Sequence, residues 1–307
     1  MSGKLTFAWS GTRKLIRSRR SLCALVIMQE YEDDSLGYGV VRVNNWSEFE
    51  KVINRMTAGH WVFRGQSNHM WKLESSLRRF FETNEKHIVS GYQSHFELCE
   101  AYEREPKPQL NRDYYERVML SEFTRSGRLL LADIHDQADK LESLSIMQHH
   151  GTPTRLLDVT LSPYIAAYFA VEEGCEDFAI FAFNVSEFLD LNNASYKDDI
   201  KSHVFENIMG DKAFIHYYKP RYQNSRSLAQ QAGFIVPSNN YEDIETILSL
   251  YGGQKIQCCK IIVPHTQRYD WIIRLRRMNI NAATLFPGID GFCKSLKFCM
   301  YEEDYDF

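Results

Sequence analysis

A helix that has to begin at Ser162 fixes the middle of this chain. Serine followed by proline gives a capping hydroxyl and then a residue whose missing N–H is harmless at the first helical position. Ile165, Ala166, Phe169 and Ala170 follow at three-and-four spacing, so one face of the helix is expected to pack inward, its small alanines allowing close approach to a sheet. Immediately upstream, Leu156 and Leu157 mark the buried part of a short strand or turn, which holds the polar Thr154, Arg155, Asp158 and Thr160 beside an apolar core. Residues 145–173, SIMQHHGTPTRLLDVTLSPYIAAYFAVEE, carry the densest cluster of unusual chemistry in the sequence.

Around this block, strands and helices are interspersed. VRVNNWSEFEKVINRM reads as a short strand and then a helix capped by Asn45 or Ser47, with Phe49, Val52, Ile53 and Met56 on its apolar face and Gly59 at its end. Trp61 to Phe63 is a strand bearing Arg64 at its far end, where Gly65 permits a sharp or crowded backbone. The pattern from about 73 to 147 is helical, a predicted insertion after the first core strand, and a helix over 114–131 would bury Val118, Phe123 and the leucines 129–131. AIFAFNV from Ala179 and CCKIIVP from Cys258 are strongly apolar strands, and Gly233 to Val236 forms another. WIIRLRRMNI is an amphipathic helix presenting Trp271, Ile272, Leu275 and Met278 on one face. Because the strands do not alternate regularly with single crossover helices, the expected class is α+β, in a single mixed domain.

Composition narrows the function. In 307 residues, 44% apolar content with 13% aromatics supports a packed core and excludes disorder of the whole chain. A formal charge of -4 argues against a protein whose main task is to coat nucleic acid, so any phosphate site is local. Seven cysteines, an odd number without a C-x-x-C pair, read as reduced thiols and a cytoplasmic address. The apolar run LCALVIM at 22–28 is too short to span a bilayer, and no membrane contact is expected. The basic residues ahead of that run make 1–28 a flexible arm or a misplaced start, and 298–307 reads as a solvated acidic tail.

An arginine at the exit of an apolar strand is expensive to bury alone, so Arg64 should meet either a carboxylate or an anionic ligand, and the same holds for Arg155. Asp158 is the obvious carboxylate, which leaves an Arg64–Asp158 or Arg155–Asp158 pair open beside the ligand reading. His149 and His150 precede Gly151, where a loop would either present one imidazole to a ligand or leave it a packed or solvated side chain. Two histidines followed eight residues later by Asp158 make too weak a match for a metal site, and none is expected. Gln230 and Gln231 precede a strand; their amides offer donors and an acceptor to a ribose hydroxyl or base edge, and Gly233 would let a ligand approach the backbone. Alternatively, Arg226 and Gln230, four apart at a helix end, only cap and pair locally.

Taken together, WVFRGQ, HHGTPTRLLDVTLSP, the R-x-x-x-Q-Q-x-G-F element and LFPGIDG resemble the FRG domain, a bacterial family named for the triplet present here as Phe63, Arg64 and Gly65. The resemblance runs over about 43–297, and Val159 stands where the family commonly has Trp or another large residue. The order of motifs is more distantly similar to the active-site plan of ADP-ribosyltransferases, which implies central β-sheets like theirs and NAD as substrate. On that similarity Arg64 grips NAD, Asp158 and Thr160 brace the nicotinamide ribose, and Gln230 or Gln231 takes the third position, Gln231 as the catalytic one. Gln66, His150, Thr154, Arg155, Arg226 and Gln230 would join Arg64 in binding the nucleotide. The third position lacks the usual glutamate, and glutamine cannot act as a general base. The resemblance implies an effector of phage defence or a toxin-like system, a transferase acting on a protein or nucleic-acid acceptor. The alternative is a non-enzymatic module sensing a nucleotide or a phage protein.

Overall fold

The computed structural model describes residues 38–84, 87, 112–127, 139–196, 204–205, 213–221, 223–240, 242–251 and 258–298. The expected arm at 1–28, most of the acidic tail and the leucines 129–131 lie outside them. The strands are β1 (Gly39–Arg42), β2 (Trp61–Gln66), β3 (Leu157–Thr160), β4 (Phe178–Asn184), β5 (Ile215–Tyr218), β6 (Ala232–Pro237) and β7 (Cys258–Val263). They form one mixed sheet in the order β1-β7-β4-β2-β3-β6-β5, so the several central sheets implied by the distant resemblance are here one. Only β1 and β7 run parallel; every other pairing is antiparallel.

All seven residues of β4 are buried, as befits a strand covered on both faces. Strand alternation sends Ala179, Phe181 and Phe183 into one core and Phe178, Ile180 and Ala182 into the other. The first core is closed by α3 (Lys140–His149), α5 (Val185–Tyr196) and α7 (Ile244–Leu250), through Leu141, Leu144, Phe188 and Ile247 among others. The second is closed by α1 (Trp46–Ile53), α4 (Pro163–Val171), α8 (Arg268–Arg277) and α9 (Ala282–Leu285). Fully buried Trp271 anchors this side, with its ring centroid 4.8 Å from those of Trp46 and Phe49 and 5.2 Å from that of Phe178.

The capping chemistry read from the sequence is present: Asn45 caps α1 by accepting the N–H of Glu48 at 3.0 Å, and Ser162 caps α4 by accepting that of Ile165. Other expectations need correction. Helix α4 is buried nearly all round, with Ala167, Tyr168 and Val171 inside as well, because it is pressed between the sheet and α8. Helix α2 (Arg112–Ser126) leaves Val118 exposed and buries Glu116 instead, since that carboxylate has an arginine to meet inside. Met278 caps α8 from the exposed side, and Gly59, with φ +88°, sits in the turn before β2 rather than ending α1.

Gly65 is where the two layers touch. A β-carbon there would lie 1.9 Å from the carbonyl oxygen of Ala166 and 2.7 Å from the amide nitrogen of Ala170. Backbone cannot withdraw as a flexible side chain can, so the crowding expected at this glycine comes from α4 rather than from a turn. Gly65→Ala should destabilise the fold by about 3 kcal/mol or more, read as a lowered denaturant midpoint with unchanged slope.

Candidate functional site

Strands β2 and β3 are neighbours, yet they pair only at Phe63 and Thr160. From Arg64 onward β2 stays bonded to β4, and β3 stays bonded to β6 along its whole length. A cavity of about 1070 Å³ opens at this seam, at the upper end of what small-molecule sites occupy. Arg64 and Gln66 from β2, Asp158 and Thr160 from β3, and Ala232 and Phe234 from β6 line it along the sheet. Its rim is made by Met70, Trp71 and Lys72, by Gln148, His149 and His150 at the end of α3, and by Arg226 on α6 (Ser225–Ala229).

Arg64 donates from Nη1 to the backbone carbonyl of Asp158 at 2.8 Å, whereas the Asp158 carboxylate is 3.9 Å away and its side chain 68% exposed. The ion pair is therefore loose, and the buried Arg64 Nε has no partner among the described residues. Burial lowers the guanidinium below its ordinary pKa; Asp158 opposes that shift and Arg79, which lines the same cavity, adds to it. Glu74 and Glu82, which also line the cavity, are engaged by Arg78, so the carboxylate nearest Arg64 is the loosely held Asp158, an arrangement that favours an anion beside Arg64. Gln66 donates from Nε2 to the Lys72 carbonyl at 3.1 Å, tethering the rim to the strand, and its buried Oε1 is unpartnered.

Thr160 turns its hydroxyl to the chain: Oγ1 donates to the Gln230 carbonyl at 2.7 Å and accepts the N–H of Ser162 at 3.2 Å. The Gln230 amide donates to the Leu285 carbonyl at 3.0 Å, and the Arg226 guanidinium lies 4.7 Å from the centroid of the Phe286 ring, so the LFPGIDG segment buttresses this wall. Gln231 does not line the cavity; it is exposed at φ 48°, with its carbonyl accepting from Leu161. Gly233 is not an approach for a ligand either, because the Tyr217 ring covers it and a β-carbon there would be 2.8 Å from that ring.

Two further residues stand outside the cavity. Thr154 is fully buried behind it. Arg155, expected to meet Asp158 or a ligand, is 4% exposed and forms a buried ion pair with Glu116 and a 3.3 Å contact with Asp113, while its Nη1 donates to the Val204 carbonyl at 2.9 Å. Its role is structural. Removing one member of such a pair leaves the other charge buried alone, so Arg155→Ala should lose about 3–5 kcal/mol of stability by chemical denaturation.

Gln148, Arg79 and Trp71 line the cavity and were not singled out from the sequence. Trp71 had a usable signal: a tryptophan in the polar run SNHMWKLESS directly after FRGQ, 56% exposed and next to Met70 at 73%. Gln148 and Arg79 carried none. Among the described residues, no group of three or more His, Cys, Asp or Glu side chains is placed to hold a metal ion, and no helix is long and apolar enough to cross a membrane.

His149 is pushed below the ordinary histidine pKa of 6.5, first by desolvation and then by Arg226 and His150. The unfolded chain therefore takes up this proton before the folded one, and the contribution to stability is lost as pH falls below 6.5. NMR titration of the imidazole should show a pKa below 6.5 in the free protein, and Arg226→Ala should raise it.

The fold is α+β, with a cleft at a seam in one mixed sheet lined by Arg64, Arg79, Arg226 and the exposed Trp71. Residues 59–177 match the family model of the FRG domain, so this chain carries an FRG domain spanning β2, β3 and α4. That span is narrower than the 43–297 of the sequence reading; Arg226 and Gln230 fall beyond it. Comparison with curated proteins gave no match, and neither did comparison with solved structures.

Proposed function

We propose that the cleft binds NAD and that the protein is an ADP-ribosyltransferase-like effector, acting in bacterial phage defence or a toxin-like system. The observation that carries this reading is adjacency: the arginine strand, the DVTLSP strand and the strand after the glutamine pair, distant in sequence, are β2, β3 and β6, consecutive in the sheet around one cavity. Arg64, with Arg79 beside it, holds the pyrophosphate by charge-assisted donors. The exposed Trp71 offers a face for a base. Transfer breaks the bond between nicotinamide and ribose, forms one from the ribose to the acceptor, and releases nicotinamide and a proton; the oxocarbenium-like cation that develops is stabilised by the Asp158 carboxylate.

One observation favours the alternative, a module that binds a nucleotide without turning it over. Gln231 is outside the cavity and the Gln230 amide nitrogen is engaged with Leu285, so the third position of the transferase plan offers little to a reacting ribose. The two readings separate in one experiment. Incubation with labelled NAD, candidate proteins and nucleic acid should release nicotinamide or transfer label if the domain is an enzyme; thermal stabilisation by NAD without turnover supports the module. Arg64→Ala should weaken NAD binding roughly 10–100-fold, the worth of one charged hydrogen-bonding group. NAD affinity unchanged in that variant would sink both readings.

A further inference from the structure

A chain of hydrogen bonds ends on the Asp158 carboxylate. Its origin is the fully buried Thr154, whose backbone is pinned to Ser76: the N–H of Thr154 donates to Ser76 Oγ at 3.0 Å, and that hydroxyl donates to the Thr154 carbonyl at 3.2 Å. The Thr154 hydroxyl accepts the N–H of Leu156 at 3.1 Å and gives its own proton to the amide oxygen of Gln148. This orients the amide, and Gln148 Nε2 donates to Asp158 Oδ1 at 2.8 Å. The reverse orientation would face the amide oxygen to the carboxylate, two acceptors with no proton between them.

Held this way, Asp158 stands in the cavity with an accepting atom to spare. Among the described residues Oδ2 meets only Arg64 Nη1, at 3.9 Å. A carboxylate accepts hydrogen bonds and repels phosphate oxygens, while Arg64 beside it donates. A ligand that satisfies both carries an anion and a hydroxyl donor within a few ångströms of each other, which a ribonucleotide does and pyrophosphate does not.

We propose that Thr154 and Gln148 are positioning residues that fix Asp158 as a reader of ribose hydroxyls, so that the cleft selects ribonucleotides over anions of equal charge that lack them. This rests on the nucleotide reading above and deepens it. Calorimetric titration of the full chain with ADP, 2′,3′-dideoxy-ADP, which differs from it only in the two missing hydroxyls, and pyrophosphate tests it. The native chain should prefer ADP to dideoxy-ADP by at least about tenfold. Gln148→Leu and Thr154→Val should reduce that preference to less than about threefold while pyrophosphate still binds, and Thr154→Ser, which keeps the hydroxyl, should restore it. Asp158 is exposed, so Asp158→Asn keeps the test available if a buried Thr154 variant does not fold; it too should lose the preference and retain pyrophosphate. A preference that survives Gln148→Leu and Asp158→Asn overturns the inference, as does an equal loss of ADP and pyrophosphate binding. If the native chain binds dideoxy-ADP and pyrophosphate through Arg64 but shows no preference for ADP, this inference alone fails. If it binds none of the three, the nucleotide reading fails with it.

Discussion

The contact between Gly65 and the backbone of α4 is the constraint on which the site depends. With no side chain at 65, the helix lies against β2 and shares its core with β4 on the same face. Strand alternation then points Arg64 and Gln66 to the opposite face, where the layer is incomplete. Close packing behind the strand thus allows an arginine and a glutamine to stand at the edge of a cavity without loosening the fold. The motif Phe63-Arg64-Gly65 combines a buried side chain, a cavity-facing one and a packing vacancy in three consecutive residues.

Electrostatics divides the two arginines of the central motifs into different roles. Arg155 is fully engaged by Glu116, Asp113 and backbone carbonyls, an arrangement in which each charge compensates the other and little is left for a ligand. Arg64 meets a backbone carbonyl and a distant, solvated carboxylate, and shares its surroundings with Arg79. A half-buried cation so thinly compensated is suited to an anion. Asp158 softens the repulsion between the arginines, and Gln148 keeps it turned into the cleft.

The family match and the site overlap without coinciding. Residues 59–177 contain Arg64, Gln148, Asp158 and Thr160, and hence the part of the cavity lining that comes from β2, β3 and the end of α3. Arg226 and the Gln230 wall come from later in the chain and are held by Leu285 and Phe286 near its end. The cleft is therefore assembled across most of the described chain, with the matched portion supplying its floor.

The sequence alone determined the local elements with strong chemical punctuation. Asn45 or Ser47 and Ser162-Pro163 announced two helix starts, the apolar runs from Ala179 and Cys258 announced buried strands, and Phe63-Arg64-Gly65 announced the FRG domain, because caps, β-branched and aromatic runs and glycines act over a few residues. Only the tertiary structure decided which polar groups face one another. The choice of Glu116 for Arg155, the Tyr217 ring over Gly233, the exclusion of Gln231 and the inclusion of Gln148 and Arg79 all depend on contacts between residues far apart in the chain. Such pairings are set by how strands order in the sheet and where β2 parts from β3, and that is a property of packing with no local trace.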